Sequence, residues 1–325
     1  MTAMLLEADS LTKHYKVAGK PLRPKPVARA VDGVSFAVPT GETLGLIGES
    51  GCGKTTTAKL LLRLEAATSG RILFDGREVQ GASGRDLGRY RRQVQAVFQD
   101  PYSSLSPRRT VFDAIAEPLI AAREFTRVQI RDRVTEMLDV VGLPARAAAL
   151  LPHEFSGGQR QRIAIARGLA LQPRLLILDE PVSALDVSIR AQILNLLGDL
   201  QERFGLTYIL ISHDLDVVAH MSSRVAVMYL GKIVERGTTA EVMGNPQHPY
   251  TQALLSSVLP ARPGRQHDRI RLHGPLPSPL DPPSGCVFRT RCPKAQPRCA
   301  ELPAPSLEPT ITGSRAACHF ALKTG

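Results

Sequence analysis

Gly48-Glu49-Ser50-Gly51-Cys52-Gly53-Lys54-Thr55, set between the apolar run Leu44-Gly45-Leu46-Ile47 and the helix-forming stretch TTTAKLLLRL, decides how this 325-residue chain is read. The octapeptide fits G-x-x-x-x-G-K-[ST] in the strand–turn–helix context that the motif requires. Its glycines let successive backbone N–H groups turn toward phosphate oxygens, and the following helix adds the positive end of its dipole. Lys54 supplies a charge for the β- and γ-phosphates, and the Thr55 hydroxyl is a candidate Mg²⁺ ligand. Residues Gly48 to Thr56 are therefore the candidate nucleotide-binding set. Cys52 occupies a variable position of the motif, where no chemistry is expected of its thiol.

A second apolar run ends in acids: Leu175-Leu176-Ile177-Leu178-Asp179-Glu180-Pro181. Carboxylates at the carboxyl end of a buried strand lie where open α/β sheets bind ligands. Asp179 is the candidate to hold Mg²⁺ through water, and Glu180 to orient and polarise an attacking water. Leu44–Ile47, Val94–Phe98, Leu175–Leu178, Tyr208–Ile211 and Val225–Tyr229 read as buried strands. Thr55–Leu64, Gln159–Leu169 and Ser188–Phe204 read as helices. Their alternation predicts an α/β core on a mainly parallel sheet over residues 1–240. Within it, residues 99–160 lack a strand-like run and read as an inserted helical subdomain. Residues 16–30, KVAGKPLRPKPVARA, hold three prolines, five basic residues and no acid, and read as an exposed loop joining two early strands.

Composition narrows the function. Hydrophobic residues make up 43% and charged residues 22%, the mix of a globular chain. No stretch approaches the roughly 18–20 apolar residues of a membrane-spanning helix, and the N-terminus does not read as a secretory signal, so a cytoplasmic protein is expected. The net charge of +11 favours polyanionic partners. The excess is spread along the chain, and 5% aromatics with no Trp argue against a base-stacking platform, so no nucleic acid is expected.

Further motifs identify a family. Phe155-Ser156-Gly157-Gly158-Gln159-Arg160-Gln161-Arg162 lies ahead of the acidic strand, Gln99 follows another strand, Ser183-Ala184-Leu185-Asp186 follows the acids, and Ile211-Ser212-His213-Asp214 comes next. In this order they resemble the ATP-binding cassette (ABC) ATPases, over about residues 4–240. The resemblance implies a P-loop NTPase fold that binds ATP, with Tyr15 stacking on adenine. It implies a head-to-tail pair of cassettes, in which Ser156, Gly157, Gly158 and Gln159 act on the partner's nucleotide and Asp186 crosses the interface. Gln99 would join Thr55 and Asp179 around Mg²⁺, and His213 would hold the γ-phosphate and Glu180.

After Gly244 the composition changes: residues 241–325 hold 14 of the 25 prolines and four of the five cysteines. The reading is a small, irregular extension. FQDPYSSLSPRRTV, HPYTQALLSSVLP and the tail SGCVFRTRCPKAQPRCA…ACHF resemble the ATPases of dipeptide and oligopeptide importers; nickel and glutathione importers share much of the pattern. The expected partners are a second ABC ATPase, two transmembrane permeases met through Asp100–Arg109 at the cytoplasmic side of the inner membrane, and an extracytoplasmic solute-binding protein. The long basic loop before AVDGVSF resembles that of one branch of these importer ATPases, which implies the second ATPase of a heterodimeric pair. A soluble ABC ATPase of DNA repair or translation is the rival, opposed by the single cassette and the lack of a heptad insert. Cys286, Cys292, Cys299 and Cys318 are candidate ligands for zinc or a [4Fe–4S] cluster; their spacing does not choose, and the resemblance places iron–sulfur first. Four metal-free thiols are the other reading.

Overall fold

The computed structural model describes residues 3–17, 26–99, 105–257 and 270–322. Most of the basic stretch 16–30 and the start of Asp100–Arg109 therefore lie outside the described residues. The strands are β1 (Met4–Lys16), β2 (Val27–Pro39), β3 (Thr43–Ile47), β4 (Ser69–Phe74), β5 (Arg77–Glu78), β6 (Val94–Val97), β7 (Leu175–Asp179), β8 (Thr207–Ile211), β9 (Arg224–Tyr229), β10 (Lys232–Thr238), β11 (Glu308–Pro309) and β12 (Arg315–Ala316). With the helices between them they make the α/β fold that the sequence predicts. The helix after the phosphate loop, Lys54–Leu61, ends three residues short of expectation because Arg63 takes a left-handed φ of 55°. No helix among the described residues is long and apolar enough to cross a membrane.

The chain divides into two compact units. One contains Val38–Thr43 and Phe74–Ile211, with the N-terminal residues to Leu5. Its sheet is parallel, in the order β6-β7-β8, pairing Val97 with Leu178 and Leu178 with Leu210. Every residue of β7 and β8 is buried, the pattern of a parallel sheet covered on both faces. The described residues of 105–169 form helices and 3₁₀ turns and no strand. Helices Val111–Ala122, Arg127–Val140 and Gly157–Leu169 pack on one another. Each begins with a capping box, from Thr110, Thr126 and Ser156, so the local sequence fixes where it starts. Arg133 donates to the carbonyls of Leu169 and Ala170, tying the second of these helices to the end of the third.

The other unit contains Leu6–Ala37, Leu44–Leu73 and the chain from Ser212 onward. β3 and β9 run parallel, and β9 turns back into β10 through Leu230-Gly231, both with positive φ as a two-residue hairpin demands. β10 then pairs with β12, and β12 with β11, so the C-terminal tail extends the sheet of the phosphate-loop unit. β2, β1 and β4 form a second sheet in that order.

Candidate nucleotide site

The phosphate loop leaves β3, whose five residues are all buried, and enters helix Lys54–Leu61. Gly48 and Gly53 have φ of 150° and 112°. A Cβ would lie 2.2 Å from the Met228 carbonyl oxygen at Gly48 and 2.3 Å from that of Ala30 at Gly53, so only glycine lets the loop sit this close to neighbouring backbone. Lys54, 7% exposed, donates to the carbonyls of Gly48 at 2.7 Å and Glu49 at 3.0 Å. The lysine is thereby held inside the loop. Thr55 is exposed at the helix start, and the Thr56 hydroxyl bonds Tyr15. Tyr15 also donates to Glu65, and burial together with that carboxylate pushes its phenol up to about 12. Cys52 is fully buried and its thiol is pushed up by burial, consistent with a packing role. The Ser212 N–H meets the Leu46 carbonyl at 3.5 Å, so the exposed His213 leaves the sheet beside the strand that feeds the loop.

In the other unit, β6 and β7 end side by side. Gln99, exposed, lies two residues beyond β6; Asp179, 6% exposed, ends β7. Glu180 follows with a left-handed φ of 50°. Ser156, at the start of helix Gly157–Leu169, accepts from the Gln159 N–H while the Gln159 side chain accepts from the Ser156 N–H. Both are exposed, Gly157 is partly exposed and Gly158 is buried. Asp186, exposed, is the N-cap of helix Val187–Phe204 without a side-chain capping bond. Thus one unit carries the phosphate loop, Tyr15 and His213, and the other carries Gln99, Asp179, Glu180, Ser156–Gln159 and Asp186.

Two contacts on the loop were invisible in the sequence. The Glu49 N–H donates to the Tyr250 hydroxyl at 2.8 Å, and Arg291 donates twice to the Glu49 carboxylate, at 2.7 and 3.2 Å. Tyr250 belongs to an aromatic cluster with Tyr229, His248 and Phe288. No local pattern announces such contacts; Arg291 reads only as one basic residue of a basic tail.

Cys286, Cys292, Cys299 and Cys318 line one cavity of about 10 Å³, together with Phe288, Arg289, Lys294 and His319. That is room for about one water-sized sphere. The thiols of Cys286, Cys292 and Cys318 are pushed up by burial, Cys292 to about 11. Among the described residues no group of three or more His, Cys, Asp or Glu side chains stands ready to hold a metal. The metal site expected from the sequence is therefore met by four gathered thiols, but not by an assembled ligand set.

Residues 31–183 match the family described as ABC transporter, and residues 234–299 the family described as oligopeptide/dipeptide transporter, C-terminal region. The chain is 50% identical over 320 residues to the oligopeptide transport ATP-binding protein AppF of Bacillus subtilis (strain 168), covering 97% of each. It belongs to the oligopeptide/dipeptide ABC transporter ATPases. The dipeptide transport ATP-binding protein DppF of Escherichia coli (strain K12) is 48% identical to this ABC ATPase over 298 residues, 92% of this chain and 89% of that one. Among solved structures, the ATP-binding cassette MJ0796 in a dimeric post-hydrolysis state with ADP and Pi matches the ABC ATPase with a TM-score of 0.63 and 29% identity. That match covers 72% of this chain and 98% of that one. The cbiO1 protein of Clostridium perfringens, part of the transporter complex cbiONQ, matches with a TM-score of 0.64 and 28% identity, over 75% and 92%.

Proposed function

We propose that this ABC ATPase powers a dipeptide or oligopeptide importer, binding ATP and Mg²⁺ and hydrolysing ATP to drive a pair of membrane permeases. The similarity to peptide-transport ATP-binding proteins carries this reading, because it runs through the tail as well as the cassette. In this reading residues 1–240 form the cassette, with a helical subdomain at about 99–160, and 241–325 form the extension. The subunit sits on the cytoplasmic face of the inner membrane, paired with a second ATPase. Substrate reaches the permeases on an extracytoplasmic binding protein. The test is purification of the chain from its native membrane. Two polytopic proteins should accompany it, and its ATPase should rise when peptide-loaded binding protein is added. Co-purification with DNA or ribosomes instead overturns the reading, and stimulation by nickel or glutathione in place of peptide changes its substrate.

The roles follow residue by residue. Lys54 and the loop amides take the phosphates, and Tyr15 stacks on adenine. Thr55, Gln99 and Asp179 supply oxygen donors, the kind Mg²⁺ prefers, and the buried Asp179 carboxylate at a strand end suits that task. Glu180 is the general base, His213 orients the γ-phosphate, Ser156–Gln159 bind the partner's nucleotide, and Asp186 lies at the interface between cassettes. Cys286, Cys292, Cys299 and Cys318 would hold a [4Fe–4S] cluster or zinc once the thiols draw into a ligand set. Such a centre would supply a structural cross-link to a tail with little regular core.

A further inference from the structure

The tail grips the phosphate loop at its second residue. The main chain at Glu49 is held on both flanks: its N–H is donated to Tyr250, and its carbonyl accepts from Lys54. Its carboxylate is taken by both outer nitrogens of Arg291. The Arg291 side chain is only 10% exposed and the Glu49 side chain 30%, so the pair is largely shielded from water. Arg291 is held in turn from its own segment. Its N–H donates to the Phe288 carbonyl, and the Phe288 ring, 1% exposed, packs edge-on against Tyr229 and Tyr250 at centroid distances of 5.1 and 5.4 Å. Tyr250 is fully buried and its own N–H bonds His248.

Glu49 lies within the phosphate loop, directly after Gly48, so an unpaired carboxylate there would add a negative charge to the segment read as taking the nucleotide's polyphosphate. Like charges in a shielded site repel strongly, and a forked guanidinium both neutralises a carboxylate and fixes its direction. We propose that Arg291 is a positioning residue for ATP binding: it turns the Glu49 carboxylate aside and cancels its charge, while Tyr250 sets the Glu49 amide. The C-terminal extension is then part of the nucleotide site and not merely attached to it. The inference rests on the reading of Gly48–Thr55 as the phosphate site.

The experiment is a titration of the full-length chain with MgATP, MgADP and AMP. Arg291→Ala should weaken MgATP by roughly 10-fold, MgADP less and AMP hardly at all, because the orphaned carboxylate would act on the β- and γ-phosphates that the loop is read as taking, and AMP has neither. In a Glu49→Gln background the same Arg291→Ala change should cost less than about 2-fold, since no carboxylate is then orphaned. Arg291→Lys, which keeps the charge but not the fork, should fall between wild type and Arg291→Ala. Equal penalties for the three nucleotides, an unchanged MgATP affinity, or no relief from Glu49→Gln would each overturn the proposal and leave Arg291 a structural tether. If Arg291→Ala does not fold, the nucleotide series is run on Arg291→Lys with the same criterion. Lys54→Ala separates the two levels: if it leaves MgATP affinity unchanged, the reading of the loop itself has failed.

Discussion

Glu180 donates its N–H to the carbonyl of Ile211, the last residue of β8, at 2.8 Å while holding a left-handed φ of 50°. A non-glycine residue in that region costs about 1–3 kcal/mol and persists only where its surroundings impose it. Here the imposition is explicit, because the Glu180 carbonyl also accepts from the Ser183 N–H and hydroxyl at 3.3 and 3.1 Å. The direction in which the Glu180 side chain leaves the backbone is thus set by the main chain. Glu180→Gln should preserve this geometry and MgATP affinity while cutting hydrolysis by roughly 10²–10⁴, the worth of a positioned general base. Steady-state ATPase assays with a parallel nucleotide titration check it; near-normal turnover removes Glu180 from the role.

Lys54→Ala should weaken MgATP by more than about 10-fold, through loss of the charge on the phosphates. It should also lower stability by about 1–3 kcal/mol, because the Gly48 and Glu49 carbonyls lose a buried donor. Denaturant melts and nucleotide titration read the two effects separately.

At Gly157 an added Cβ meets only Leu185 Cδ2, at 3.4 Å, an ordinary contact. Gly157→Asp should therefore fold and bind MgATP as an isolated chain. If Ser156–Gln159 act on the partner's nucleotide as proposed, it should nonetheless abolish ATP-driven pairing of cassettes, because an anion would then stand against the partner's γ-phosphate. In a self-pairing cassette, mixing Gly157→Asp with Lys54→Ala chains should restore at most one composite site. Recovery of two active sites contradicts action in trans.

Burial pushes the His248 imidazole down to about 3, and its ring accepts the Tyr250 N–H while bonding the Ala317 backbone. A folded value below the unfolded one of about 6.5 means that the contribution of His248 is complete above pH 6.5 and is lost as pH falls toward 3. Below pH 6.5 this histidine should erode stability by up to about 1.4 kcal/mol per pH unit. His248→Leu should be less stable at neutral pH but show a flatter decline. Urea midpoints at about pH 7.5 and about pH 5 test it, and parallel declines in the two proteins exclude His248 as the cause.

For the four tail cysteines, anaerobically purified protein should be brown, with about four iron and four sulfide per chain if a cubane is present. Colourless protein with stoichiometric zinc would retain the site and replace the cluster, whereas neither metal would remove both. Cys292→Ser should loosen the tail and release any metal.

Much of the fold was readable because β3, β7, β8 and β9 are short runs that are largely apolar, and the capping boxes at Thr110, Thr126 and Ser156 mark helix starts. What escaped has a physical reason. β11 and β12 are two residues long and owe their existence to the waiting edge of β10, so no periodicity encodes them. Glu49 and Arg291 are 242 residues apart, and only the completed fold joins them. The four cysteines were legible as a group, but gathering thiols around a cavity is a matter of packing that spacing does not report.

The short strands at the end of the tail also act as a stopper. β10 would otherwise present a row of free N–H and C=O groups, the template on which stray chains add. Arg315 and Ala316 occupy the Arg236 and Glu235 positions, and the outermost strand is only two residues long and ends in Pro309, which has no N–H to offer. A polypeptide cut before Glu308, as a protease or a minimal-cassette design would leave it, exposes that edge. Its clumping would then be a property of the cut, and poor solubility of a trimmed cassette would say nothing about the competence of the ATP site.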